Sequence, residues 1–291
     1  MDQALALDIG GTKLAAAIVD ADGTVSHRTI APTGQHADGE ATFALVCELL
    51  DQFRPFDRFA ALGVGCPGPM AEKGQLVSPL NIPSWRRFPL AARLAEHTGL
   101  PTALDGDAKA LALAEGWIGA AVGERDFVAM VVSTGVGGGI VLDGRLIDGR
   151  LGNAGHVGQI VVNPGGQTLP GQITGSLECE ASGTAIALRT GRPATEACTA
   201  EIRHVGTMVG RAVGSLANAL DLHLAVVGGS VALGLGEPFF ASAQAECDRI
   251  CTLDYSIGTR IEPVGLGVEA PLVGAAAVGF RAIGHDLGGL A

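Results

Sequence analysis

LALDIGGTKLAAAIVDADGTV, residues 5–25, predicts two strands joined by a Gly-rich turn and followed by an Asp-Gly hairpin turn. FVAMVVSTGVGGGIVLDGRL, residues 127–146, repeats this order with similar spacing: strand, Gly-rich turn, strand, Asp-Gly hairpin, strand. The match indicates an internal duplication of one supersecondary unit. Chance similarity is the alternative, because β-hairpins are common. A true duplication predicts an α/β chain of two lobes, each with a sheet that opens on a Gly-rich hairpin.

The rest of the chain supplies helices and further strands for both lobes. Apolar spacing predicts helices over 39–54, 88–98 and 202–220, and a final helix near 269–284 that packs back onto the first lobe. We therefore expect a small N-terminal lobe of residues 1–107 plus the C-terminal helix at about 269–291, and a large lobe of residues 108–268. Ligands favour the crevice between such lobes.

Composition limits the classes of function. The chain has 291 residues, 47% of them hydrophobic, and a net charge of −11, which argues against a nucleic-acid surface. Its first residues lack the basic region of a signal peptide, and its apolar runs are too short for a membrane span. The six cysteines form no C-x-x-C pair, which favours reduced thiols in a cytoplasmic protein. Cys247 and Cys251 are interpreted as two core thiols rather than a ligand pair.

The first Gly-rich turn, DIGGTK, has the chemistry of an anion cradle. Gly10 and Gly11 let the backbone approach a phosphate closely, while Thr12 offers a hydroxyl and Lys13 a cation. Asp8 follows a strand and suits Mg²⁺ held through water. The turn is neither a Walker loop nor a dinucleotide fingerprint. A purely structural hairpin is the alternative.

The second lobe offers two further Gly-rich segments. STGVGGG, residues 133–139, is a matching cradle whose candidate phosphate-binding residues are Thr134, Gly135 and Gly137. Two such cradles favour a nucleotide polyphosphate over two structural hairpins. In VVGGS, Gly228 and Gly229 follow a buried strand and suit a flat adenine, although a plain strand-to-helix turn has the same sequence pattern.

Two other segments suit a sugar and its activation. In LDGDAKAL, Asp107 lies where a strand meets a helix, either as an N-cap or as a general base for a substrate hydroxyl. An ordinary carboxylate suffices as base for phosphoryl transfer, whose transition state is loose. SPLNIPSW offers the Asn81 amide for hydroxyls and the Trp85 indole for a sugar face. A Pro-stabilised loop is the alternative for this segment.

These segments, with GCPGP, AGHVGQ and LECEASG, occur in the order found in ROK proteins (repressors, open reading frames and sugar kinases), and the chain resembles that family over most of its length. The resemblance implies the fold of actin, hexokinase and Hsp70: two ribonuclease H-like lobes with ATP and sugar in a central cleft. It implies that Asp107 is the catalytic base. It implies that the sugar is bound by the residues Gly65, Asn81, Asp107, His156, Gln159 and Glu178. The family's Asn before the catalytic Asp is Gly106 here, so one sugar contact is missing.

The segment AGHVGQIVVNPGG, residues 154–166, departs from the family pattern. Many ROK kinases have A-G-E-x-G-H there, followed by three cysteines, and that His and those cysteines bind structural zinc. In this chain the Glu position is His156, the His position is Gln159, and the cysteine stretch is QTLPGQITGS, residues 167–176. We therefore expect no structural zinc, and loop packing through Leu169 and Ile173 in its place.

His156 also bears on the sugar. A carboxylate accepts from two vicinal hydroxyls, whereas a neutral imidazole offers one donor and one acceptor. The A-G-H variant is similar to the branch of the family that acts on N-acetylmannosamine. The alternative is that His156 only fills a polar loop.

The resemblance implies an ATP- and Mg²⁺-dependent kinase that phosphorylates a hexose at O6, with N-acylmannosamine expected ahead of glucose or N-acetylglucosamine. The alternative function that is not an enzyme is a sugar sensor like the ROK repressors. Those repressors carry an N-terminal DNA-binding domain, and the first cradle begins here at Asp8, so we expect no such domain. We expect no nucleic-acid or membrane partner, and a homodimer, because the family is often dimeric.

Overall fold

The computed structural model describes residues 3–34 and 38–290. Contacts divide the chain into two compact units. The first comprises Met1–Val122, Arg145–Ala154 and Leu266–Ala291, and the second comprises Gly123–Gly144 and Gly155–Gly265.

The sheet of the first unit combines an antiparallel meander with two parallel strands. Its strands and the small ladder beside it are β1 (Gln3–Ile9), β2 (Lys13–Asp20), β3 (Val25–Pro32), β4 (Ala61–Cys66), β5 (Met70–Ala71), β6 (Leu76–Val77) and β7 (Thr102–Gly106). The strand order is β3-β2-β1-β4-β7, with β5 paired to β6. β1, β2 and β3 are antiparallel, and β4 and β7 run parallel to β1.

The second sheet repeats this topology. Its strands are β8 (Phe127–Val132), β9 (Val136–Leu142), β10 (Arg145–Leu146), β11 (Leu224–Gly228) and β12 (Arg260–Pro263), in the order β10-β9-β8-β11-β12. β8 and β9 are antiparallel, and β11 and β12 run parallel to β8. The same order of antiparallel and parallel strands in both sheets confirms the predicted duplication and the two-lobed α/β fold.

The Asp-Gly hairpins form for the reason that the sequence suggested. Asp143 and Gly144 have φ values of 51° and 71°, the left-handed pair that a tight two-residue hairpin requires. In the first repeat Gly23 has φ 85° and donates from its backbone N–H to the Asp20 carbonyl at 2.8 Å.

Nine α-helices surround the sheets in the described part of the chain. They are α1 (Gly39–Asp51), α2 (Leu90–Thr98), α3 (Asp107–Ile118), α4 (Leu177–Ala181), α5 (Gly183–Thr190), α6 (Thr199–Leu220), α7 (Ser230–Leu235), α8 (Glu237–Ile250) and α9 (Ala270–Ala282). Single 3₁₀ turns lie at Phe56–Arg58, Val157–Gln159, Ala194–Glu196 and Gly267–Glu269. None of the helices described is both long and apolar enough to cross a membrane.

Small residues let α3 and α9 pack closely within the first unit. A Cβ on Gly274 of α9 would lie 2.5 Å from the Ala110 carbonyl oxygen of α3, so only glycine allows this approach. α9 also packs on β4, where a Cβ on Gly63 would lie 1.9 Å from the Ala275 carbonyl oxygen. The final helix thus packs on α3 and β4 within the first unit. The contacts keep α3 in the same unit, so they divide the chain after Val122 rather than at the predicted boundary of residue 107.

Each unit has its own apolar core, and the first core includes Trp85. The Trp85 side chain is 0% exposed, stacks on Phe88 with ring centroids 4.9 Å apart, and donates from Nε1 to the Gly39 carbonyl at 2.9 Å. The interpretation of this indole as a surface for a sugar face was therefore wrong. Cys247 and Cys251 are buried in the second core with sulfurs 3.7 Å apart, which agrees with two core thiols.

Candidate functional site

The carboxyl ends of three parallel strands bring two carboxylates of the first unit together. The register pairs Asp8 of β1 with Gly65 of β4, and Gly65 with Asp105 of β7. A Cβ on Gly65 would lie 3.6 Å from Asp8 Oδ1 and 3.9 Å from the Asp107 Cα. The absent side chain of Gly65 therefore leaves the space between Asp8 and Asp107 open.

Asp8 has a perturbed titration in this setting. Burial, followed by the nearby Asp107 charge, raises the pKa of Asp8 to about 7, and Lys13 and Arg28 oppose the rise. Neighbouring carboxylate oxygens are hard donors, and Mg²⁺ is commonly held by one or two carboxylates plus waters. Asp8 and its neighbourhood therefore fit a magnesium ion.

Asp107 is the first residue of α3 and its side chain is exposed. The cap position is Gly106, with no side-chain capping bond, so Asp107 is not the N-cap of α3. Its Oδ1 accepts from the Ala108 backbone N–H at 2.8 Å. An exposed carboxylate fixed at a helix start is a geometry suited to a general base.

The first Gly-rich turn lies against Asn81. Gly10 donates from its backbone N–H to the Lys13 carbonyl at 2.9 Å, which closes the turn. A Cβ on Gly11 would lie 2.8 Å from Asn81 Nδ2. Thr12, Lys13 and Asn81 are exposed. The predicted phosphate residues and the predicted sugar amide thus share one surface of the first unit.

The second Gly-rich turn is joined to Glu178 within the second unit. The Ser133 backbone N–H donates to the Gly135 carbonyl at 2.9 Å, and the Val136 N–H donates to Glu178 Oε2 at 2.9 Å. A Cβ on Gly135 would lie 2.9 Å from the same carboxylate oxygen. The second cradle and the predicted sugar-binding Glu178 therefore lie side by side, with Thr134 exposed next to them.

Gly228 and Gly229 have structural reasons to be glycine. A Cβ on Gly228 would lie 2.8 Å from a Val264 methyl group, and one on Gly229, which has φ 96°, would lie 2.3 Å from the Val132 carbonyl oxygen. These close approaches explain both glycines without a ligand. An adenine contact here remains a prediction.

Two glycines that flank His156 in the chain explain the backbone conformation around it. A Cβ on Gly155, which has φ 98°, would lie 2.2 Å from the Gly138 carbonyl oxygen, and one on Gly158 would lie 2.3 Å from the Val136 carbonyl oxygen. The segment therefore packs directly on the backbone of β9. His156 lies between these two glycines and its side chain is exposed, as a ligand-binding side chain requires.

The segment that lacks the family cysteines is held by polar contacts. Gln159 donates from Nε2 to Gln172 Oε1 at 2.9 Å. Leu169 is buried against Cys179 and Ala185, as predicted, but Ile173 is 53% exposed. The prediction that Ile173 anchors the loop was therefore wrong. Polar side chains hold the loop instead. Among the described residues no cluster of three or more His, Cys, Asp or Glu could hold a metal ion.

The polar anchor is Glu180, which sequence reasoning missed. Its side chain is 2% exposed, and Oε1 accepts from the Gln167 N–H at 2.8 Å and from Asn163 Nδ2 at 3.3 Å. Oε2 lies 2.8 Å from His204 Nε2. The available signal was a second acidic residue two positions after Glu178 in the five-residue helix α4.

Known proteins match this chain over most of its length. The family model described as ROK family matches residues 4–279. An N-acetylmannosamine kinase of Citrobacter koseri is 34% identical over 82% of this chain and 87% of its own. A ROK hexokinase from Thermus thermophilus is 31% identical with a TM-score of 0.83, covering 97% of this chain and 99% of that one. A ROK family glucokinase from Streptomyces griseus, solved with glucose and AMPPNP, is 26% identical with a TM-score of 0.82, covering 96% and 99%.

The fold and these relatives define the class of protein as ATP-dependent sugar kinases. Within that class the chain belongs to the ROK family.

Proposed function

We propose that the chain transfers the γ-phosphoryl group of ATP to the O6 hydroxyl of an N-acylmannosamine, giving the 6-phosphate. The observation that carries the kinase chemistry is the exposed Asp107 carboxylate beside Asp8, across Gly65, at the carboxyl ends of β1, β4 and β7. The identity of the sugar rests on His156 in A-G-H-V-G-Q and on the similarity to the N-acetylmannosamine kinase of Citrobacter koseri.

Asp107 accepts the proton of the O6 hydroxyl as that oxygen attacks the γ-phosphorus in line. Because the transition state is loose, positioning and charge neutralisation matter more than the strength of the base. Lys13 and the backbone of Gly10 and Gly11 bind phosphate oxygens, and Asp8 holds Mg²⁺. When bound, this ion supplies positive charge to the phosphates.

The second unit supplies the other contacts. We assign phosphate contacts to Thr134, Gly135 and Gly137, and an adenosine contact to Gly228 and Gly229. We assign contacts with sugar hydroxyls to Glu178 and His156 of this unit and, separately, to Asn81 of the first unit. Gln159 contributes to sugar binding by holding the loop beside His156, because its amide nitrogen forms a hydrogen bond with Gln172.

Specificity arises where the chain departs from its family. His156 replaces a carboxylate and satisfies one hydroxyl rather than two, which suits a 2-acetamido sugar or an altered C2 configuration. Gly106 provides no side chain next to Asp107. Glucose is the alternative substrate supported by the similarity to the Streptomyces griseus glucokinase. N-acetylglucosamine is a further alternative.

The test is a coupled ADP-release assay with Mg·ATP and a panel of N-acetylmannosamine, N-acetylglucosamine, glucose, mannose, fructose and allose. Strong preference for N-acetylmannosamine supports the proposal. Preference for glucose keeps the kinase and rejects the interpretation of His156. No turnover of any sugar, with ATP still bound, favours the sensor. Sedimentation of the same sample tests the expected homodimer.

A further inference from the structure

The β7–α3 junction, which carries Asp107, contains a buried lysine that phosphoryl transfer does not use. Lys109 is 4% exposed, and its ammonium lies 2.7 Å from Asp105 Oδ1 and 2.7 Å from Asp148 Oδ1. Asp105 lies two residues before Asp107 in the chain, and Lys109 lies two residues after Asp107. The Asp105–Lys109 ion pair therefore spans the catalytic carboxylate on both sides along the sequence.

Lys109 also fixes the residue directly before Asp107. A Cβ on Gly106 would lie 3.8 Å from both Cγ and Cδ of Lys109, so the lysine stem covers Gly106 at ordinary contact distance. The Gly106 N–H donates to Asp105 Oδ1 at 2.8 Å. The residue on the amide side of Asp107 is thus tied to the charged cluster.

The third member, Asp148, belongs to a segment that is itself held in place. Asn153 forms two hydrogen bonds with the Met70 backbone, accepting from its N–H at 2.8 Å and donating to its carbonyl at 2.7 Å. The Lys73 N–H donates to the Leu151 carbonyl at 3.1 Å. Asp148 is therefore a fixed counter-charge for Lys109 rather than a mobile surface group.

A buried ammonium costs free energy unless its partners are well placed, and removing one member leaves the others uncompensated. Catalysis is sensitive to the same geometry, since a displacement of about 1 Å in a reacting group costs roughly 100-fold in rate. We propose that Lys109, held by Asp105 and Asp148, is a positioning residue that sets the orientation of the Asp107 carboxylate. This inference rests on the proposed kinase function.

A cavity beside the cluster makes a charge-specific test possible. It has a volume of about 280 Å³ and is lined by Lys109, Asp105, Asp148, Lys73 and Arg281, among others. Lys109→Ala leaves room there for a small alkylammonium ion. We expect this variant to lose roughly 10- to 100-fold in kcat with little change in either KM. Ethylammonium chloride is expected to restore part of the loss in a saturable manner, whereas sodium chloride at equal ionic strength and ethanol restore none.

Lys73→Gln is the matched control, because Lys73 is an exposed cation that lines the same cavity. It is expected to keep the wild-type kcat and to show no response to ethylammonium. A Lys109→Ala protein with wild-type kcat overturns the proposal. So does one that melts like the wild type, has lost kcat, and gains nothing from ethylammonium.

Where Lys109→Ala does not fold, Asp148→Asn carries the test, because the Asp148 side chain is 42% exposed and tolerates the change. A severalfold lower kcat with unchanged melting supports the proposal, and an unchanged kcat overturns it. Failure of the proposed function is a separate result: it is wild-type inactivity toward every sugar in the panel.

Discussion

The Gln159 side-chain amide donates to the Gln172 side chain at 2.9 Å, so two glutamines join the segments that, by family resemblance, a zinc ion joins elsewhere. By the same resemblance, Gln159 stands at the position of the family histidine and Gln172 lies within the stretch where the family has cysteines. Glu180, 2% exposed, adds a second anchor for the same loop. Direct hydrogen bonds from these side chains thus hold the loop.

The first prediction concerns metal removal and this loop. Treatment with EDTA is expected to leave the melting temperature unchanged, because the loop is held by side-chain hydrogen bonds. Gln172→Ala is expected to destabilise the fold by about 1 kcal/mol, the usual net contribution of one hydrogen bond. Thermal melting by circular dichroism measures both effects.

Ile173→Ala is the control in the same loop, and it is expected to leave the melting temperature close to that of the wild type because Ile173 is 53% exposed. A chelator-induced drop in melting temperature would contradict the assignment of these bonds as the tether. A large effect of Ile173→Ala would restore the apolar anchor that the sequence suggested.

The second prediction tests the catalytic base. Asp107→Asn is expected to lower kcat by roughly 10²- to 10⁴-fold, the usual contribution of a general base, while ATP still binds. Steady-state kinetics and calorimetric titration with ATP separate the two quantities. Asp57→Asn, which removes another exposed carboxylate of the first unit, is expected to leave kcat unchanged. Near-normal turnover of Asp107→Asn rejects the base.

The third prediction is a pH dependence of stability in the second unit. Hydrogen bonds from Arg249 and then Arg211 lower the pKa of Glu246 from 4.5 to about 2. A lowered folded-state pKa means that this contribution is present above pH 4.5 and is lost as the pH falls toward 2. Glu246→Gln should therefore be less stable than wild type at pH 7, by roughly 1 kcal/mol, and equal to it near pH 2.

Chemical denaturation at several pH values measures this difference. Glu196→Gln, at an exposed acidic position of the second unit, is the control and is expected to differ little from wild type at any pH. A Glu246→Gln deficit that stays constant down to pH 2 would show that the variant loses packing rather than the ion pairs of Glu246 with Arg249 and Arg211.

Local patterns carried much of the fold. Asp143 and Gly144 have the positive φ that their hairpin needs, and both sheets repeat one topology, so turn chemistry and duplication were readable from the sequence. Trp85 was misread because a tryptophan near a turn gives no sign of which way its ring faces. Its burial follows from stacking on Phe88 and the bond to Gly39, and the latter contact spans 46 residues.

Polar tertiary contacts were the least accessible part of the site. Nothing in LECEASG distinguishes Glu178, which receives the Val136 N–H, from Glu180, which holds a loop. The Lys109 pair with Asp105 has helical i, i+4 spacing, but its second partner, Asp148, is 39 residues away in the chain. Such contacts depend on where separate segments meet, and spacing alone carries no information about that.

The last prediction tests specificity at His156 and Gly106, the two proposed sugar-site positions that depart from the family pattern by resemblance. His156→Glu restores a carboxylate that accepts from two vicinal hydroxyls, so the ratio of kcat/KM for glucose to that for N-acetylmannosamine should rise at least about tenfold.

Gly106→Asn restores a second contact with the sugar. The backbone at Gly106, with φ −59° and ψ 138°, accepts any side chain, and a new Cβ would meet the Lys109 stem at an ordinary 3.8 Å. The double variant should therefore fold and favour glucose more than either single variant.

Ile173→Ala, away from both positions in the sequence, is the control and should leave the ratio of kcat/KM values unchanged. A ratio that does not move in His156→Glu, with turnover intact, would mean that His156 only fills its polar loop and that the sugar is selected elsewhere.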